Sequence, residues 1–90
     1  MPKAIMDPIE VRRFAAELKR FNDDLHSQMV SLHSHFSALG DSWEDQEHEK
    51  FAEDFMETIR TMNKFVQSSN RHVPYLLRKA QKIEEYLNQK

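Results

Sequence analysis

Between Val11 and Leu39 an apolar residue returns at every seventh position, as Val11, Leu18, Leu25, Leu32 and Leu39. Phe14 and Phe21 fill intervening places, so the repeat becomes the three-four alternation of a helix that packs along one side. A strand would need a period of two, and no such alternation runs here. A helix over residues 7–39 would be about 50 Å long, which makes the chain a rod rather than a sphere.

The ends of that helix carry their own signals. Asp7 can cap the free amides, Pro8 suits the first helical position, and Glu10 stands where a capping box wants an acid. The pattern stops at Gly40, the single glycine of the chain, which predicts a left-handed C-cap. Asp41 or Ser42 then opens a second helix over 42–88, with Glu44 and Asp45 placed favourably in its first turn. Residues 1–6 are expected to be flexible. The second seam reads Ala52, Phe55, Ile59, Met62, Val66, Ser69, Val73, Leu76, Ala80, Ile83 and Leu87. Pro74 falls inside it and predicts a kink or break, because proline removes a helical hydrogen bond.

A turn at Gly40–Ser42 makes the helices antiparallel neighbours, so the fold class is all-α, a two-helix hairpin forming one domain over residues 1–90. Leu32 then meets Ala52, Leu25 meets Ile59, Leu18 meets Val66 and Val11 meets Val73. Two apolar sets remain without a partner. One comprises Ala15, Met29 and Phe36 on the first helix and Phe51, Phe65 and Leu77 on the second. The other is the tail past residue 77, with Ala80, Ile83, Tyr86 and Leu87. Together they exceed the apolar area a monomer usually shows to water. A homodimer forming an elongated four-helix bundle is expected, with Met29, Phe36, Phe65, Leu77, Ile83 and Leu87 at its interface.

Composition narrows the function classes. The chain is 31% charged with both signs interspersed and a net charge of -2, which offers nucleic acid no concentrated basic surface. With no cysteine there is neither a disulfide nor a thiolate metal site. The opening MPKAIMDPIE lacks the apolar core of a signal peptide, and no run is long enough for stable membrane insertion. The expected location is therefore cytoplasmic as synthesised, with any export using a route other than a cleaved signal peptide. No nucleophile motif or phosphate loop points to an enzyme, and no cofactor is expected. His33, His35 and His48 flank the turn, and the register would set His35 opposite His48 as a hydrogen-bonded layer. No spacing motif makes these histidines a metal site.

The only tryptophan stands beside the turn, in SALGDSWEDQEHEKF, and Phe51 lies eight residues after Trp43. Chain size, two amphipathic helices and a tryptophan at the turn resemble the WXG family of type VII secretion, the early secreted antigen type. The resemblance implies hairpins that dimerise head to tail and are substrates or co-exported partners of a secretion ATPase. Trp43 matches the family tryptophan, and with Gly40, Asp45 and Phe51 it is expected to form the turn motif that a partner reads; the resemblance also allows a WXG-like heteromeric partner in place of a second copy. Two departures stand out. The family's Trp-x-Gly reads Trp43-Glu44-Asp45 here, and the family's tyrosine followed four residues later by an acid is absent, since Lys79 follows Tyr75 and Lys90 follows Tyr86. The second departure favours an alternative, an intracellular protein–protein interaction module that is not exported. Trp43 itself either folds over the hairpin tip or anchors a partner.

Overall fold

In the computed structural model, which describes residues 6–88, the chain forms two antiparallel helices, α1 (Pro8–Leu39) and α2 (Gln46–Asn88), joined by residues 40–45. The described chain is a rod with principal extents of 70 × 19 × 15 Å. The expected flexible N-terminus falls, apart from Met6, outside the described residues.

The start of α1 follows its sequence signals. Asp7 is extended (φ -84°, ψ 113°), its carboxylate accepts from the Ile9 amide at 2.9 Å, and Pro8 takes the first turn. Glu10 does not close a capping box; its carboxylate instead accepts from the Arg13 guanidinium at 2.7 Å. The far end corrects an expectation. Gly40 is right-handed (φ -59°, ψ -19°), so its freedom to go left-handed is not used. The helix closes with tight bonds from Gly40 N–H to the Ser37 carbonyl, Asp41 to Ala38, and Ser42 to Leu39, at 3.0–3.2 Å. Neither Asp41 nor Ser42 caps α2. Asp45 does so, its carboxylate accepting from the His48 amide at 2.9 Å, and α2 begins at Gln46 rather than at 42.

Across Pro74 the helix continues without interruption, so the expected break is absent. Pro74 is exposed, and the Asn70 carbonyl it deprives of a partner belongs to a residue that is itself exposed to water.

Two expectations about packing are corrected. The first is the rotation of α1. The buried side chains of α1 are Ala15, Asn22 and Met29, whereas Phe14, Phe21, Leu32 and Leu39 are about half exposed. The heptad that faces α2 thus runs through 15, 22 and 29, flanked by the half-buried column Val11, Leu18 and Leu25. A lone pair of helices touches along one line, and small side chains there let the backbones approach. Ser69 and Ala80 supply the matching small positions on α2, beside Ile59 and Val66. Bulky phenylalanines on that line would hold the helices apart.

The second is the register, which sits one heptad away from the expected one. Leu25, rather than Leu18, packs at the core cluster of Met29, Ile59 and Val66, together with Phe55 and Met62. Asn22 is bonded to Asn70 at 3.0 Å, and Phe36 leans on Phe55 at a tilt of 40° with centroids 4.8 Å apart. The slide docks most of the tail that appeared unpartnered. Ala80 is fully buried, Ile83 is half-buried, and the Arg12 guanidinium holds Glu84 through two bonds of 2.9 and 2.6 Å. Only Tyr86 and Leu87, among the named tail residues, stay largely exposed.

The hydrogen bond from Arg12 holds the Glu84 carboxyl below the usual glutamate range. A lowered folded value means that the pair contributes at pH above the ordinary glutamate value and is lost as pH falls through the lowered one. Glu84→Gln should therefore speed amide exchange in residues 80–88 at neutral pH and leave 55–66 unchanged. The unmodified protein should loosen in the same segment on acidification to about pH 3, relative to intrinsic exchange rates.

Candidate functional site

Two surfaces carry recognition chemistry, the hairpin tip and one flank of the rod. The tip is an aromatic cluster. His48, in the first turn of α2, lies flat on Phe36 (centroids 5.3 Å, 6° apart) and takes the edge of Trp43 at 4.9 Å. Trp43 also leans on Phe51 at 6.2 Å, and Phe51 on Phe55 at 5.8 Å. Trp43 is half-buried in the connection, not on the outer face of α2. The histidine's Nε2 is buried without a hydrogen-bond partner, and a Cβ at Gly40 would stand 3.8 Å from it. Phe36 therefore occupies the place expected of His35, which is exposed in a shallow groove with Gln28, Ser31 and Leu32. The His35–His48 layer does not form.

Around the cluster the charge is one-sided. Residues 41–50 contain five acids, Asp41, Glu44, Asp45, Glu47 and Glu49, against the single base Lys50. The acids at the start of α2 also favour its helix dipole. The other end of the rod leans the opposite way: over 7–20 and 71–88 the Lys and Arg residues number eight and the acids five.

The flank is the larger feature. Phe14, Phe21, Leu32 and Leu39 share one stripe of α1, adjoined by Leu18 and Leu25. On α2 the stripe passes through Phe51, Thr58, Phe65, His72 and Leu76, with Ile83 near its end. Phe21 meets Phe65 edge to face across the hairpin, centroids 6.4 Å apart. Nearby, Phe14, Leu18, Phe65, His72, Tyr75 and Leu76 line an open apolar groove of about 380 Å³. Between Phe51 and Leu76 none of the stripe residues is charged, and Lys79 is the next position of the heptad after His72. The opposite flank is polar, with a groove lined by Asn22, Asp23, His26, Asn63, Gln67 and Asn70 among others.

The expected interface residues divide accordingly. Phe65 and Ile83 belong to the uncharged flank, Leu87 continues the line of Ile59, Val66 and Ala80 and is exposed at its end, and Phe36 is half-buried in the tip cluster. Met29 is 4% exposed and faces α2 within the hairpin, so it is not free for a second chain. Leu77 is spaced seven from Asn70 and sits on the polar flank. Phe14, Phe21, Leu32 and Leu39 were missed because they outrank Ala15 and Asn22 in hydrophobicity. The uninterrupted heptad Ala15, Asn22, Met29, Phe36 was the signal that could have placed them outside.

No helix of the described residues is long and apolar enough to cross a membrane, and no three His, Asp or Glu side chains among them converge on a metal-sized site.

This arrangement, a long helical hairpin with a tryptophan in its tip connection, is a known fold. The crystal structure of a variant of the secreted protein EsxB from Bacillus anthracis str. Sterne matches it with a TM-score of 0.77 at 22% identity, covering 100% of this chain and 99% of that one. Bacillus subtilis (strain 168) has an uncharacterized protein, YfjA, 32% identical over 80 residues, which are 89% of this chain and 77% of that protein. The family model WXG100, described as proteins of 100 residues with WXG, matches residues 4–86. The chain belongs to the WXG100 family, the helical hairpin proteins associated with type VII secretion.

The family motif's departure here has a structural reading. Asp45 stands where Trp-x-Gly would place glycine, and it is the N-cap of α2. Aspartate and glycine are both accepted at that position, aspartate because its carboxylate satisfies an amide. Asp45→Gly should accordingly cost only a few tenths of a kcal/mol, whereas Asp45→Ala should cost about 1 kcal/mol in chemical denaturation. Equal losses would show that the carboxylate, not the cap position, matters.

Proposed function

We propose that this protein is a non-enzymatic substrate or adaptor of a type VII secretion system and acts as an antiparallel homodimer built on its uncharged flank. The observation that carries this reading is the flank itself. A stripe of half-exposed phenylalanine and leucine without a charge, along both helices of a thin rod, is a surface suited to a second pair of helices. A second copy supplies an identical stripe, and antiparallel packing sets the acidic tip of each rod beside the more basic end of its partner. Phe14, Phe21, Phe65 and Leu87 are the contacts we assign to that interface, in addition to Phe36 and Ile83.

In that dimer the half-buried Trp43 and Gly40, with the exposed Asp45 and Phe51, form a corner at either end, available to a secretion ATPase. Family membership and the fold shared with secreted EsxB support export without a cleaved signal peptide. A second reading, an interaction module that stays inside the cell, has one observation behind it. Lys79 occupies the place of the family's signal acid after Tyr75, and its ammonium lies 6.0 Å from the centre of that ring.

Light scattering on the eluting protein tests the dimer. The unmodified chain should elute with twice its 10.8 kDa mass. Phe21→Ser combined with Phe65→Ser should weaken association by at least tenfold while α-helix persists at high concentration, since two large apolar side chains leave the interface. A stable monomer of the unmodified chain would direct the flank to a different, heteromeric WXG-like partner. Export is read separately, by tagged protein in the culture medium of cells with and without the secretion ATPase.

A further inference from the structure

The hydrophobic seam by itself does not choose the register of this hairpin. In the observed register Asn22 stands opposite Asn70, while a slide of seven residues would set Leu25 at Ile59, Leu18 at Val66 and Val11 at Val73. Both arrangements bury aliphatic residues on the same helical faces, because a heptad returns each side chain to its own face. The slide uncovers Ala80 and Ile83 at the end of α2, but along the seam that stays paired, residues 11–73, something other than apolar burial must distinguish the two.

Asn22 is the side chain placed to do so. It is fully buried, and among the described residues it is the largest side chain with less than 2% exposure. Its one hydrogen bond runs from its amide nitrogen to the Asn70 oxygen at 3.0 Å, and its own Oδ1 has no partner. A buried amide with an unmet acceptor is costly, so the single bond it does make weighs heavily on where α2 sits. One heptad before Asn70 stands a second asparagine, Asn63, which lines the same polar groove beside Asn22.

We propose that Asn22 is a register latch, with Asn70 as its occupied stop and Asn63 as a second stop at which the last turns of α2 come free of α1. At the second stop α2 is displaced by about 10 Å along the axis. Arg12 then faces Leu77 and loses Glu84, and the segment carrying Ala80, Ile83 and Tyr86 has no length of α1 beneath it. Residues 40–45 still span the distance between adjacent helix ends. Ser69, small enough to admit Asn22, favours the observed stop, because at the other stop Met62 takes its place.

The chain has no cysteine, so pairs can be introduced singly. His26 and Gln67 line one groove in the observed register, and a slide would bring His26 to Arg60 instead. Intramolecular yields with a short bismaleimide are compared for His26→Cys with Gln67→Cys and for His26→Cys with Arg60→Cys. Asn70→Ala, an exposed change, should raise the second yield relative to the first by three- to tenfold, on the order of one neutral hydrogen bond. Adding Asn63→Ala should reverse that gain, and in an Asn22→Leu background Asn70→Ala should leave the ratio unchanged. A ratio indifferent to Asn70→Ala in the folded protein, or shifted equally without Asn22, would overturn the latch.

Discussion

The close approach of two helices along a strip of small side chains underlies the rest of this structure. Ala15 and Asn22 on α1, with Ser69 and Ala80 on α2, are all but inaccessible to water. A hairpin of two helices has a single contact line, so each helix can bury only a narrow face. Small residues on that line bring the backbones together, and Met29, Ile59 and Val66 fill what space remains. Phe14, Phe21, Leu32 and Leu39 of α1 are then displaced to the flank, where each stays about half exposed. The uncharged stripe is therefore a consequence of how the core is packed, not a separate feature laid over it.

The same packing explains why the rod keeps its length. Register places Arg12 against Glu84 and buries Ala80, so the final turns of α2 lie on the first turns of α1. Exposed ion pairs within one helix, such as Lys19 with Asp23 or Arg60 with Glu57, add only tenths of a kcal/mol each. The Arg12–Glu84 pair is bidentate and joins distant parts of the chain, which is the geometry in which such a pair has structural consequence.

At the tip, membership of the WXG100 family and local chemistry agree through a substitution. Asp45 replaces the motif glycine and still performs the cap that begins α2, which leaves Trp43 in the connection and free to fold over His48. The histidine fills the gap between Phe36 and Trp43, so the tip is held by stacked rings rather than by a hydrogen-bonded layer. Acidic residues surround this apolar knot, and they give the tip a charge opposite in tendency to the far end of the rod.

Much of this was legible beforehand, and the residues show where legibility stopped. Heptad spacing, the Asp7–Pro8 start and the shortage of turn residues determined two long antiparallel helices, because local propensity and periodicity act within a few residues of each other. Trp43 beside the turn, with the chain's size and its two amphipathic helices, was enough to suggest the family. Spacing could not decide which of two adjacent heptads faces inward: Phe14 and Phe21 are more hydrophobic than Ala15 and Asn22, yet close helix packing prefers the smaller pair. Nor could it decide the register, since a seven-residue slide preserves every face. Those two choices depend on interactions between residues some 48 positions apart, as in the Asn22–Asn70 bond, and only the tertiary structure brings such residues together.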